Sequence, residues 1–411
     1  MGDRPFNTVI GRMRPHLSAL LLAGALAAVA SGCGKETTGP LPPPATTTVT
    51  APVSGVAGDE PQAASDLGFP TFATKNTTRV GGADATADAA GVAQAVFPST
   101  GPTSRPAAVV LADSENWQAA LAASVFMARP IRAPLLLAHG SELPDATQAA
   151  LTRLAPGGSG VLGRAQVIRV GDVPAPSGLR ATAVAGDDAF DLAAAIDRVA
   201  TSARGEPAPA VMIAGVDDPA YAMPAAAWAA KAGDPLLFVE RDRVPQATLK
   251  ALRRHDRPAI YVVGPRSQVS DGVLGALRKA GSSVTRIAGA DPAKNAVAFA
   301  RFSSDAFGWG IVDPGHGLVV ADPRQPLAAA AASPLSSSGT YGPLLLTDDA
   351  GGLPEPLVQL LLDIQPGYEA DPVRGVYNHA WLIGDEQAVT LDAQSRIDAL
   401  LEISPVRDES P

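Results

Sequence analysis

A proline followed by an aliphatic run is written three times in this chain, as "APLLLAH" at 133–139, "DPLLFVE" at 234–240 and "GPLLLTD" at 342–348. Self-similarity at a fixed period constrains a fold more than composition does. Each copy must form the same unit, and neighbouring copies must pack on one another. The likeness extends well beyond these runs. Each copy opens near a G-x-D turn: "RVGGAD" at 79–84, "AVAGDD" at 183–188 and "RIAGAD" at 286–291. An alanine-rich stretch follows, then a short aliphatic run: "AAVVLAD", "AVMIAGV" or "GLVVADP". A second alanine-rich stretch leads into the Pro-Leu-Leu run. The copy ends on a third aliphatic run stopped by glycine: "AQVIRVGD", "AIYVVGP" or "AWLIGD".

Short aliphatic runs without alternation are the pattern of strands covered on both faces. Helices between them require parallel pairing through right-handed crossovers. Each copy therefore reads helix, strand, helix, strand, helix, strand. The predicted fold class is α/β, with three tandem Rossmann-like or flavodoxin-like modules at 69–178, 179–280 and 281–404 and a tail at 405–411. Pro144, Pro245 and Pro354 each precede an amphipathic stretch and mark the first turn of a helix.

The residues before the repeats serve another purpose. Arg4, Arg12 and Arg14 precede the apolar stretch "LSALLLAGALAAVA" at 17–30, which is short for a bilayer span. It ends in "ASGC", so 1–33 reads as a lipoprotein signal peptide with Cys33, the single cysteine, as the lipidated residue. Residues 34–68 are rich in Pro, Thr, Ala and Gly with no apolar period, and they predict an extended tether.

The chain carries a net charge of −9, and loss of a leader holding three Arg and one Asp makes the remainder more negative still. Such a body does not gather nucleic acid by its bulk field, and an anionic partner has to be held by a local arginine cluster. In parallel α/β sheets ligands sit beyond the carboxyl ends of the strands. Arg266 and Arg324 fall at that edge, and Arg79 and Arg286 hold matching positions before the G-x-D turn. A guanidinium fork suits phosphate or carboxylate; the competing role is a salt bridge to the following aspartate. Gly158, Gly160 and Gly163 spell G-x-G-x-x-G, but after a helix and before a strand, which inverts the dinucleotide-binding context and makes it a loop. The histidines show no metal-ligand spacing, His139 reads as a loop residue, and there is no G-x-S-x-G. No metal, cofactor or catalytic set is expected.

The motifs resemble a known family. R-x-x-G-A-D, the Asn-aromatic loop "ENWQAALAAS" at 115–124, the Pro-Leu-Leu strand and "VVGPRSQVSDGVLGAL" at 262–277 are similar to the cell-wall-binding repeat of type 2. The resemblance covers roughly residues 70–404. It implies three α/β repeats about a pseudo-threefold axis, holding the protein to an anionic wall polysaccharide or teichoic-acid-like polymer. It adds Asp84, Asn116 and Asp291 to the four arginines as polymer-binding candidates. The chain departs from the family at "ADATAD" in the first turn, at Ala119, and at "DPRQPLAAA" in the third copy, where the Asn-aromatic pair is absent. Family members often carry an appended enzyme domain, and no span here is left over for one.

The expectation is a non-catalytic, lipid-anchored, extracytoplasmic protein that binds or organises wall polymer and touches the membrane only through its lipid. The alternative is a solute-binding lipoprotein of a transporter, which has the same anchor but two lobes around a cleft.

Overall fold

The computed structural model describes residues 71–406, apart from 83, 340, 348–352, 370 and 372–374. The leader at 1–33 with Cys33, the tether at 34–68 and residues 407–411 of the tail lie outside the described residues.

The first copy runs β1 (Thr71–Ala73), β2 (Thr77–Val80), α1 (Ala85–Val96), β3 (Val109–Asp113), α2 (Trp117–Ala123), β4 (Leu135–Ala138), α3 (Asp145–Leu154) and β5 (Val167–Val170). The second runs β6 (Ala181–Val184), α4 (Ala189–Arg204), β7 (Ala210–Gly215), α5 (Pro219–Ala232), β8 (Leu236–Val239), α6 (Gln246–Arg253), β9 (Ala259–Val263) and α7 (Asp271–Leu277). The third runs β10 (Ser283–Ile287), α8 (Pro292–Arg301), β11 (Gly317–Ala321), α9 (Pro326–Ser337), β12 (Leu344–Leu346), α10 (Glu355–Asp363), the short β13 (Gly367–Tyr368), β14 (His379–Ile383), α11 (Leu391–Leu400) and β15 (Ser404–Pro405).

The aliphatic runs form three parallel sheets, ordered β4-β3-β5-β6, β8-β7-β9-β10 and β12-β11-β14-β2, with β1 antiparallel on the outside of β2. Each repeats the 2-1-3-4 order of a flavodoxin-like sheet. The Pro-Leu-Leu run, which its unbroken aliphatic pattern predicts as the central strand of its module, is instead an edge strand, beside β3, β7 or β11, because helices cover both of its faces even at the edge. Its residues are buried, as expected for a strand covered on both faces.

Three strands per copy is an incomplete prediction. Each sheet has a fourth strand, and it comes from the start of another copy. β6 opens the second copy but pairs with β5 of the first; β10 opens the third but pairs with β9 of the second. β2, from the start of the first copy, pairs with β14 of the third, with Thr78 opposite Trp381. Sequence repeat and sheet are thus offset by one strand, and the offset closes the three units into a ring. "TTRV", "ATAV" and "SVTRI" escape the aliphatic pattern because Thr, Ser and Arg interrupt them, although β2 is an interior strand between β1 and β14.

The prolines also sit one place earlier than expected. Pro144, Pro245 and Pro354 are extended N-caps, with ψ of 150°, 153° and 141°, outside helices that begin one residue later. A cap position has no intrahelical N–H bond to lose, so proline is as well accommodated there. Gly160–Leu162 form a short 3-10 turn between α3 and β5, the loop context expected of the glycine triplet.

The second helix of each copy lies at the centre. α2, α5 and α9 pack pairwise on one another, as a pseudo-threefold axis requires. Their alanine-rich faces let the backbones approach closely, and α5 is buried from Ala220 to Ala230. One apolar core takes Leu121, Met223 and Ala330 from the three copies together. Separate clusters cover the outer faces of the first and third sheets.

Candidate functional site

The G-x-D turn has the same job in every copy. Asp84, Asp188 and Asp291 are extended N-caps of α1, α4 and α8, and their side chains accept from the N–H of Ala87, Asp191 and Lys294 at 2.8 Å in each case. Each satisfies one orphan N–H of the first turn and places negative charge at the positive end of the helix. Asn116 caps α2 in the same way, accepting from Ala119 N–H at 2.9 Å. Asp291 also pairs with Lys294 at 2.9 Å.

Arg79 and Arg286 clamp a backbone loop. Arg79 is buried; it donates to the carbonyls of Gly384 at 3.0 Å, Asp385 at 2.6 Å and Val389 at 2.5 Å, and to Gln394 Oε1 at 3.0 Å. Arg286 donates to Gly264 O at 2.8 Å and Val269 O at 2.7 Å. These are equivalent carbonyls in the loops after β14 and β9. The shared partners are main-chain oxygens; Gln394 adds a side-chain acceptor to Arg79 and Asp271 one to Arg286 at 3.4 Å, and neither is the following aspartate. Arg266 is 79% exposed and pairs with Asp271 at 3.1 Å. Arg324 forks onto the buried Asp322, with Nε at 2.9 Å from Oδ1 and Nη2 at 2.5 Å from Oδ2. The four arginines therefore divide between two sheets. Arg79 and Arg324 belong to the carboxyl edge of the third, Arg266 and Arg286 to that of the second.

In this strand order the neighbours β11 and β14 leave their sheet toward opposite sides, which makes the crevice beyond them the topological switch point. A cavity of about 360 Å³ opens there. Gly82, Asp84 and Asp88 line it from the first copy, Trp117 from the first turn of α2, and Arg324 and Asp385 from the third copy. Trp117 is held edge-on against Phe238, with ring centroids 5.6 Å apart.

The second sheet shows why the third has room. There Tyr221 and Gln268 crowd Gly264, and the Tyr221 hydroxyl donates to Ala290 O at 3.2 Å. The equivalent positions in the third copy hold Ala328 and Ala388. Two truncations to alanine leave the switch point open.

Asp88 is the residue the sequence patterns do not single out. It lies four places after the Asp84 cap, where the second copy has Leu192 and the third Asn295. It is 1% exposed, and its Oδ1 accepts from Gly82 N–H at 2.8 Å. Its Oδ2 has no hydrogen-bond partner. Burial pushes its pKa up to about 7; the Gly82 N–H opposes the rise, and Asp84 and Asp385 add to it. The sequence signal is an acidic residue on the alanine face of α1. Among the described residues no group of three or more His, Cys, Asp or Glu is placed to hold a metal ion.

Residues 183–274 match the sequence model of the family described as Cell wall binding domain 2 (CWB2). The match starts within β6 and ends within α7, so it spans one sequence repeat in its strand-first form. No curated protein matches the chain significantly. Cwp8 from Clostridium difficile shares the fold with a TM-score of 0.62 and 19% identity, over 80% of this chain and 52% of that one. Cwp6 from Clostridium difficile does so with a TM-score of 0.59 and 18% identity, over 80% of this chain and 51% of that one. This chain thus spans about half the length of either. Its residues 183–274 are similar in sequence to a cell wall binding domain, and the fold around them is that of Cwp8 and Cwp6.

Proposed function

We propose that this chain is a non-catalytic, lipid-anchored cell-surface protein whose three α/β repeats bind or organise cell-wall polymer. The observation that carries the proposal is the match of residues 183–274 to cell wall binding domain 2. The other two copies have the same strand order and the same capped G-x-D turn, which supports extending the reading to them.

The non-catalytic part draws support from His255, which with Asp197 resembles an acid–base dyad. His255 Nε2 lies 2.9 Å from Asp197 Oδ1, but its Nδ1 accepts from Ala208 N–H at 3.0 Å, and the ring is buried. With Nδ1 engaged and Nε2 donating, no basic nitrogen is left for a substrate. The anchor rests on "ASGC" at 30–33. Three like sheets around one core fit a two-lobed solute-binding protein poorly.

Sedimentation of the full chain with isolated bacterial cell walls tests the reading. Retention at low salt is expected, and recovery of all the protein in the supernatant refutes it. Mass spectrometry of Cys33 from the native host tests the lipid, and zymography on wall substrate tests the absence of hydrolysis.

A further inference from the structure

The open switch point is chemically unlike its two counterparts, and Asp88 makes the difference. In the third copy Asn295 Oδ1 accepts from Gly289 N–H at 3.2 Å and Nδ2 donates to Tyr221 O at 3.2 Å, so both ends are satisfied. In the second copy Leu192 fills the place with hydrocarbon and packs near Gly171. In the first copy Asp88 keeps the Oδ1 bond to Gly82 but presents a second acceptor where Asn295 presents a donor. A buried carboxylate oxygen without a donor is costly unless a partner is brought to it.

The surroundings define that partner. Asp84, at the cap of α1, and Asp385, in the loop after β14, act on Asp88, and Glu115 lines the cavity from the loop before α2. Arg324 lies across the cavity with its fork on Asp322, and His139 stands behind Glu115 at 3.7 Å. An anionic ligand is repelled by this set and a cationic donor is drawn in. Trp117, Pro326 and Leu327 supply an apolar wall, and about 360 Å³ accommodates a sugar ring.

We propose that this cavity binds a primary ammonium group carried on a sugar ring, an unacetylated amino sugar of a wall polymer, with the ammonium donating to Asp88 Oδ2. The sugar rests on the proposed wall-binding function; the ammonium rests on the cavity's own residues. Binding holds Asp88 in its ionised form, so a proton leaves the carboxyl as the ligand enters at neutral pH and below.

Calorimetric titration of the full chain with glucosamine, N-acetylglucosamine and glucose tests the site. Glucosamine binds at least about tenfold more tightly than the other two, the difference a charge-assisted hydrogen bond makes. Its affinity falls from about pH 7 to about pH 5 as Asp88 takes up its proton. Asp88→Asn, which installs the side chain of the third copy, weakens glucosamine binding at least about tenfold. Ala328→Tyr, which copies Tyr221 into the open cavity, abolishes binding without removing a charge. Thermal melts show whether each variant keeps the fold; if either does not, the discrimination among the three sugars by the unaltered chain decides. Equal binding of all three, binding of none, or unchanged affinity in a folded Asp88→Asn chain overturns the proposal. Wall retention with no response to glucosamine removes this site and leaves the proposed function standing. Glucosamine binding without wall retention does the reverse.

Discussion

Arg79 Nη1 donates to the Gly384 carbonyl at 3.0 Å across 305 residues of chain, and Arg286 makes the equivalent bond to Gly264 at 2.8 Å. The G-x-D strand of one repeat thereby fixes the loop that ends the third aliphatic run of another. Arg79→Lys keeps the charge but loses the fork, leaving buried carbonyls without donors. A loss of about 2–3 kcal/mol in urea unfolding is expected. Arg286→Lys, nearer to solvent, costs about 1 kcal/mol. Equal losses for the two would contradict the burial argument.

The ring closure is testable at β2. Thr78 lies in an interior strand between β1 and β14. Thr78→Pro removes a ladder donor there and destabilises the chain by about 3 kcal/mol or more. Hydrogen exchange reads the consequence far away in sequence. Amides at Trp381 and Leu382 lose protection, while those of β7 and β9 change less.

Asp88 makes stability depend on pH in a predictable direction. Its folded pKa of about 7 stands above its ordinary value of 3.8, so the folded chain holds this proton more tightly than the unfolded one. Its contribution is therefore fully present below about pH 4, is lost as pH rises toward 7, and is flat above. Asp88→Asn removes the dependence. The variant should be more stable than the parent by about 2–4 kcal/mol at pH 8, with the gap closing toward pH 4. Chemical denaturation at the two pH values measures it without ligand.

His255 and Asp197 link α4 to the end of α6, with Arg254 Nη2 adding a bond to Asp197 at 3.1 Å. Because both partners are buried, His255→Leu leaves the Asp197 carboxylate with only Arg254 and Thr201 as side-chain donors and should cost about 3 kcal/mol. Asp197→Asn, which still accepts, should cost less. Thermal unfolding of the two variants side by side ranks them.

The triplicate α/β architecture was legible because buried parallel strands announce themselves as unbroken aliphatic runs between alanine-rich stretches. The strand offset was not. "TTRV" and "SVTRI" place charge and β-branched residues where a covered strand would be aliphatic, and their pairing partners are set by packing between copies. The G-x-D turn was visible, but its aspartate is a helix cap, and Arg79 and Arg286 hold backbone oxygens. Arg324 and Asp84 were the candidates that do reach the cavity. Asp88 went unseen because one sequence position says nothing until Leu192 and Asn295 are superimposed on it. The cavity itself depends on what Ala328 and Ala388 lack.

The borrowed strand also sets the stoichiometry. Since every sheet is completed by its neighbour and the last is completed by the first, a unit cannot be added or deleted at an end as in an open solenoid. Two units would leave β14 with a bare hydrogen-bonding edge, and a fourth would have to part β2 from it. Gain or loss of one copy therefore has to break this closing pair and form another.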